Sequence, residues 1–205
     1  KPRRTLRNSS GSSSVTHILA LLALLLLALS GCEVFVAAGI VTGVGTGLAV
    51  SEDRRTSGTF VEDEGIELKS AKHIREKLGA NVQVNVTSFN RNVLLTGEAP
   101  TEAMKKEVEN LVIGISNVRN VTNEISVANA SSLISRSNDM LTTTKVKGRF
   151  LDSGRFQINH IKVVTENGAV YLLGLVKRQE AESASEIASS TNGVLKVVKV
   201  FEYLD

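Results

Sequence analysis

The chain has 205 residues, 42 % of them hydrophobic and only 4 % aromatic, with no tryptophan and one cysteine. A single cysteine excludes an internal disulfide framework, so the fold must be held by a packed aliphatic core. A formal net charge of +3 is too small to mark a chain that binds nucleic acid through its overall charge.

The first stretch carries Lys1, Arg3, Arg4 and Arg7 and no acid, then a run of nearly pure leucine and alanine from Ile18 to Leu29. That run is shorter than the roughly 20 residues of a membrane span and suits the apolar region of a signal peptide. It ends on Leu29-Ser30-Gly31-Cys32, which resembles the lipobox of bacterial lipoprotein signals. The resemblance implies cleavage before Cys32, with a diacylglycerol and an acyl chain such as palmitate attached there. Residues 1–31 are then a discarded signal peptide, and the arginines in front hold it so that the mature chain is exported. Four basic residues leave with it, so 24 basic against 21 acidic residues become 20 against 21, and the charge falls from +3 to −1. Affinity for an anionic surface must therefore come from a local patch. Glu33 follows the cysteine; retention in the inner membrane typically uses aspartate there, so outer-membrane sorting is expected. The first residue is Lys1 rather than methionine, which leaves the beginning of the signal open.

Residues 32–65 read as a lipidated, glycine-rich tether followed by a polar linker. Gly39, Gly43 and Gly47 recur every four residues and would line one face of a packing helix. Without cap signals, and with the helix cost of glycine, a flexible tether is the favoured reading. These glycines are no phosphate cradle, because the lysine and hydroxyl of a P-loop are missing. The mixed charges of residues 51–63 suggest a linker or an extended entry into the first domain.

The body of the chain is a repeat. Val82, Val84 and Val86 lead through Phe89-Asn90-Arg91-Asn92 to Val93-Leu94-Leu95-Thr96-Gly97. Ile161 and Val163 lead through Glu166-Asn167-Gly168 to Val170-Tyr171-Leu172-Leu173-Gly174. Period-two strands around a short turn predict a β-hairpin in each, with Asn167-Gly168 the stronger type I′ signal. A helix is expected before each hairpin, marked by Ala71, Ile74 and Leu78 in the first and by Val146 and Phe150 in the second. Another is expected after each, where Val108, Leu111 and Val112 correspond to Ala184, Ile187 and Ala188 at helical spacing. Closing strands are expected at Asn117–Val121 and Gly193–Val197. The reading is an α+β protein of two αββαβ units, helices packed on one face of each sheet, over residues 66–128 and 138–205 with a linker at 129–137.

This order, with a glycine closing the second strand, resembles the BON domain. The likeness is carried by Val93 to Gly97 with Val118-Arg119-Asn120-Val121, and by Val170 to Gly174 with Val194-Leu195-Lys196-Val197. Lipobox, tether, the segment Asp53 to Thr59 and two such units together are similar to dual-BON lipoproteins. The resemblance implies an outer-membrane lipoprotein on the periplasmic face that recognises anionic phospholipid and supports envelope integrity, with a link to the division site. In such proteins the first helix of the second domain contacts lipid. Here that helix is expected from about Asn138 toward Leu151, with Leu141 where the family pattern carries a tryptophan.

The residues themselves fit an interfacial helix: Met140 and Leu141 at its start, then Lys145, Lys147 and Arg149, each basic residue worth roughly 1 kcal/mol near an anionic surface. Arg155 and Lys162 would extend the patch. No catalytic group and no metal site is read from the sequence. His73 and His160 lie apart, no cluster has ligand spacing, the serines lack a partnered base, and Glu62/Asp63 and Glu107/Glu109 read as solvated surface. No cofactor beyond the lipid on Cys32 is expected, and no nucleic acid. The rival reading is a module that docks envelope proteins on exposed edge strands; a third is oligomerisation through the tether glycines.

Overall fold

A computed structural model describes residues 53–129 and 132–205 of the chain. Cys32, Glu33, the signal peptide and the tether glycines lie outside the described residues. In chain order the elements are α1 (Ser57–Leu78), β1 (Gln83–Phe89), β2 (Asn92–Ala99), α2 (Glu102–Ile113), β3 (Asn120–Asn123), β4 (Ser126–Val127), α3 (Leu133–Ser153), β5 (Ile161–Glu166), β6 (Ala169–Val176), α4 (Arg178–Ser189) and β7 (Lys196–Tyr203). Each half is thus αββαβ, with the closing strand of the first half broken in two.

Both leading helices begin earlier than the sequence suggested. Thr56 caps α1 by accepting from the Thr59 amide, and Ser132 caps α3 by accepting from the Ser135 amide. A hydroxyl at this position satisfies one of the orphan amides of a first turn. Residues 57–63, expected in a linker, are therefore the first turns of α1, and Leu133–Ser137 likewise belong to α3. The buried stripe of α1 is Asp63, Ile66, Ser70, Ile74 and Leu78; Ala71, expected on it, is exposed.

In each half the hairpin pairs antiparallel and the last strand returns parallel to the second strand. An intervening helix makes that parallel return possible, as a crossover requires. The closing strands start about three residues later than expected, because Asn117 and Gly193 sit at positive φ in the preceding turns. In the first half the strand breaks at Glu124-Ile125 yet keeps register, with Asn92 opposite Asn120 and Ala99 opposite Val127. Gly97 and Gly174 occupy equivalent places. A Cβ at either would run into a carbonyl oxygen at or just before the start of the first strand, that of Gln83 or His160, so close approach of the backbone requires glycine there.

One interaction recurs in both halves. Asp63 is 2 % exposed and its carboxylate accepts from the Asn90 and Arg91 amides at 2.9 and 2.7 Å and from the Ser88 hydroxyl at 2.6 Å. Asp139 accepts from the Asn167 and Gly168 amides at 2.9 and 2.8 Å. Asn90, Arg91, Asn167 and Gly168 are all at positive φ, as a type I′ turn demands. An arginine at positive φ is unusual and strained; the charge-assisted bonds from Asp63 hold it there. Asp63 also accepts from Arg55 Nη1 at 2.9 Å. That guanidinium lies 4.1 Å over the Phe89 ring centroid and grips Asp53 as well. Burial pushes the Asp53 carboxyl up, but hydrogen bonds from Arg55 outweigh it and leave the group below its ordinary value.

Helices cover one face of each sheet. Val93 and Leu95 of β2 pack against α1 and α2 with Ile66, Ile74, Val108 and Val112, while Val170, Leu172 and Val176 of β6 meet Val146, Phe150, Ala184 and Ile187. The opposite faces meet one another: Phe89 and Leu94 share a buried cluster with Tyr171, Leu173 and Leu175. The layers are helices, sheet, sheet, helices. Polar pairs ring this seam, among them Arg54–Glu180 at 2.7 Å, Lys162–Glu67 at 2.8 Å and Arg119–Glu202 at 3.2 Å. Two amides cross in opposite directions, Asn85 Nδ2 to Glu166 at 3.0 Å and Asn167 Nδ2 to Glu98 at 2.8 Å. Burial, with further help from Glu98 and Asp139, raises the Glu166 carboxyl against the bond from Asn85.

Two expectations follow. Asp63→Ala strands Arg55 and two turn amides and should cost about 3–5 kcal/mol, as breaking a buried pair does, whereas Asp139→Ala, which loses no paired arginine, should cost less; urea unfolding measures both. Glu166→Gln should melt higher than the parent chain at neutral pH. The advantage should shrink as pH falls through the raised titration of Glu166, because the parent carboxyl then protonates in the fold.

Candidate functional site

Helix α3 is one of the two helices on the outer side of the second half, and its buried side is set by Asp139, Thr142, Val146 and Phe150. Successive side chains turn by roughly 100° about the axis. Going round the solvent side, the order is Lys147, Met140, Leu151, Thr144, Ser137, Gly148, Leu141, Ile134 level with Asp152, and Lys145. Ile134, Met140, Leu141 and Leu151 are between 58 and 75 % exposed. The two lysines stand at opposite edges of an apolar arc spanning about 160°. No hydrogen bond or ion pair engages either lysine among the described residues. Asp152, in the last turn, is the acid on this arc.

The residues picked from the sequence therefore divide. Met140, Leu141, Lys145 and Lys147 share the exposed side, though the lysines are separated by the apolar strip rather than clustered. Arg149 does not join them. Its Nη1 donates to the Ile187 carbonyl at 3.0 Å and to the Thr191 hydroxyl at 2.8 Å, which satisfies the end of α4. Arg155 pairs with Glu186 at 2.8 Å. Lys162 is committed to the seam between the sheets, where it also reaches the Ser88 carbonyl. Ile134 and Leu151 belong to the arc and were not singled out from the sequence; extending the helix by a turn at its start would have placed Ile134 in line with Leu141, seven residues on.

Two hollows flank α3. Lys147 borders a cleft of about 660 Å³ lined also by Phe60, Phe89, Ile158 and Ile161. Leu141 and Lys145 border a smaller one of about 420 Å³ with Gly168, Gly193 and Leu195. Among the described residues no three His, Cys, Asp or Glu side chains are grouped as a metal ion would require. His160 is buried beside Glu180, with Nδ1 3.7 Å from the carboxylate, and His73 is exposed on α1. Burial raises the Glu180 carboxyl, but bonds from Arg54 and the Lys177 amide overcome this and hold it low. No helix of the described residues is long and apolar enough to cross a membrane.

The BON domain pattern matches this chain twice, at residues 64–129 and 138–205. The chain belongs to the BON-domain family. It is 37 % identical over 179 residues to the outer membrane lipoprotein DolP of Haemophilus influenzae, covering 86 % of this chain and 91 % of that one. It is 34 % identical to the 21 kDa hemolysin of Actinobacillus pleuropneumoniae, over 74 % of this chain and 79 % of that one. The osmotically-inducible protein Y of Escherichia coli is 26 % identical, over 76 % and 80 %. This BON protein is therefore of the dual-domain, outer-membrane lipoprotein type, and both halves of the repeat read from the sequence are BON domains.

Because Arg149 caps α4 and contributes nothing to the arc, Arg149→Ala should lower stability by about 1–2 kcal/mol without changing the exposed surface of α3. Urea unfolding together with vesicle binding of the same variant checks both halves of that statement.

Proposed function

We propose that this BON protein is a lipid-anchored, non-enzymatic binding protein of the periplasmic face of the outer membrane. In this reading Cys32 carries the anchor, and the second BON domain recognises anionic phospholipid in support of envelope integrity. The observation that carries the reading is the exposed side of α3, four large apolar side chains between two lysines without partners.

An interfacial helix needs apolar surface to sink into the acyl boundary and cations at its margins to meet phosphates. Lysine serves the second role well, since its stem lies along apolar surface while the ammonium stays in water. From Ile134 to Leu151 the strip runs about 25 Å along the helix axis at 1.5 Å per residue. Each lysine adds roughly 1 kcal/mol near an anionic leaflet. Leucine at position 141 supplies apolar area without the interfacial preference of tryptophan, so affinity rests on the whole strip rather than on one side chain. Such weak contact suffices when an acylated end already holds the protein at the surface, because the second contact then forms at high effective concentration.

The test uses the mature chain, residues 32–205 with Cys32→Ser, so that neither the apolar signal nor the anchor carries it to every membrane. Flotation with phosphatidylglycerol vesicles should recover this chain, and phosphatidylcholine vesicles should not. Lys145→Glu with Lys147→Glu should abolish recovery, and Leu141→Asp alone should weaken it, at unchanged melting temperature. Equal recovery with both vesicle types, or no effect of the substitutions, would sink the proposal.

A further inference from the structure

The loop between α4 and β7 presents Leu195, which at 83 % is the most exposed large apolar side chain among the described residues. Its backbone is not loose. The Leu195 amide donates to the Gly168 carbonyl at 2.8 Å, which ties the loop to the hairpin turn that Asp139 pins from α3. The fit is close enough that a Cβ on Gly168 would meet the Leu195 side chain at 2.8 Å. A leucine is thus held outward on an ordered backbone, beside the hollow that it shares with Leu141 and Lys145.

We infer that Leu195 is a second membrane-inserting residue, so that the lipid-facing surface of the second domain spans two elements, α3 and the α4–β7 loop. The inference rests on the lipid reading of α3 and adds to it a residue outside the helix. Three observations point to an anionic bilayer as the occupant. Leu195 lines the same hollow as Leu141, the exposed apolar residue on that side of α3. Lys145 stands in the same hollow without a partner, where it would meet a phosphate between the two leucines. A backbone ordered before contact lets insertion proceed without the usual cost of fixing a loop.

The chain contains no tryptophan, so a single one reports its own surroundings. In the same mature chain with Cys32→Ser, Leu195→Trp and Leu141→Trp should both shift to the blue on addition of phosphatidylglycerol vesicles. Both should be quenched by lipids brominated near the headgroup. Leu68→Trp, on the exposed side of α1 in the first domain, should do neither. Leu195→Asn should weaken vesicle binding about ten-fold, the effect of withdrawing one leucine from apolar contact. A response at position 141 with none at 195 overturns the inference and leaves the α3 reading standing, whereas silence at both positions removes both. Loss of self-association in Leu195→Asn, seen by sedimentation with vesicle binding unchanged, would overturn it in favour of a second copy of the chain.

Discussion

The fold depends on an aspartate in the leading helix of each half that accepts the amides of a hairpin turn. A type I′ turn sets two residues at positive φ and points their amides the same way; a buried carboxylate is the natural acceptor. The bond reaches from helix to turn, so it fixes where the helix crosses the sheet as well as the turn itself. Burial of the ion is tolerated because its lone pairs are occupied: three donors and Arg55 around Asp63, two amides around Asp139. The first copy is the more elaborate. It holds an arginine at positive φ where the second has the easier Asn-Gly, and the additional bonds compensate.

From that register the two-sided burial follows. With β2 and β6 fixed beneath their helices, alternate residues point the other way, and those are Leu94, Tyr171, Leu173 and Leu175. Neither sheet could leave such a face in water, so the halves cover each other. Polar groups confined to the rim then set the pairing. The Tyr171 phenol shows how dry the seam is: burial first, then Glu124, push it up to about 12. What remains for a partner is the outer side of each half, and in the second half that side is formed by α3 and α4, with the apolar arc on α3.

Much of this was legible in the sequence. Hairpins, turn residues, the glycine near the end of β2 and of β6 and the apolar positions of α2, α3 and α4 all followed from spacing, because local preference and tertiary packing agree there. The early start of α1 was not legible. Its first turns are rich in charge, and the residue that buries them is Asp63, which composition assigns to solvent; only its distant partners Asn90 and Arg91 reveal it. The face-to-face seam had a signal in the unbroken apolar runs Val93 to Leu95 and Val170 to Leu173, since strands buried on both sides lose their alternation. For the candidate site, the sequence gathered Met140, Leu141, Lys145 and Lys147 correctly on one helix, but two residues apart means opposite edges, and Arg149 faces α4. Leu195 gave no sign of exposure, because spacing places it inside a closing strand at Gly193–Val197, whereas that strand starts only at Lys196.

The chain enters the folded region through Arg54 and Arg55, and these two neighbours hold different halves. Arg54 clasps Glu180 and the Leu175 carbonyl of the second domain, while Arg55 clasps Asp63 of the first. A pull on the chain upstream of Asp53 is therefore divided between both domains at its point of entry. The load meets the clasped guanidinium groups of Arg54 and Arg55 before it reaches the first turn of α1. Two adjacent arginines thus make a pair of folded units behave, under tension, as a single mechanical body.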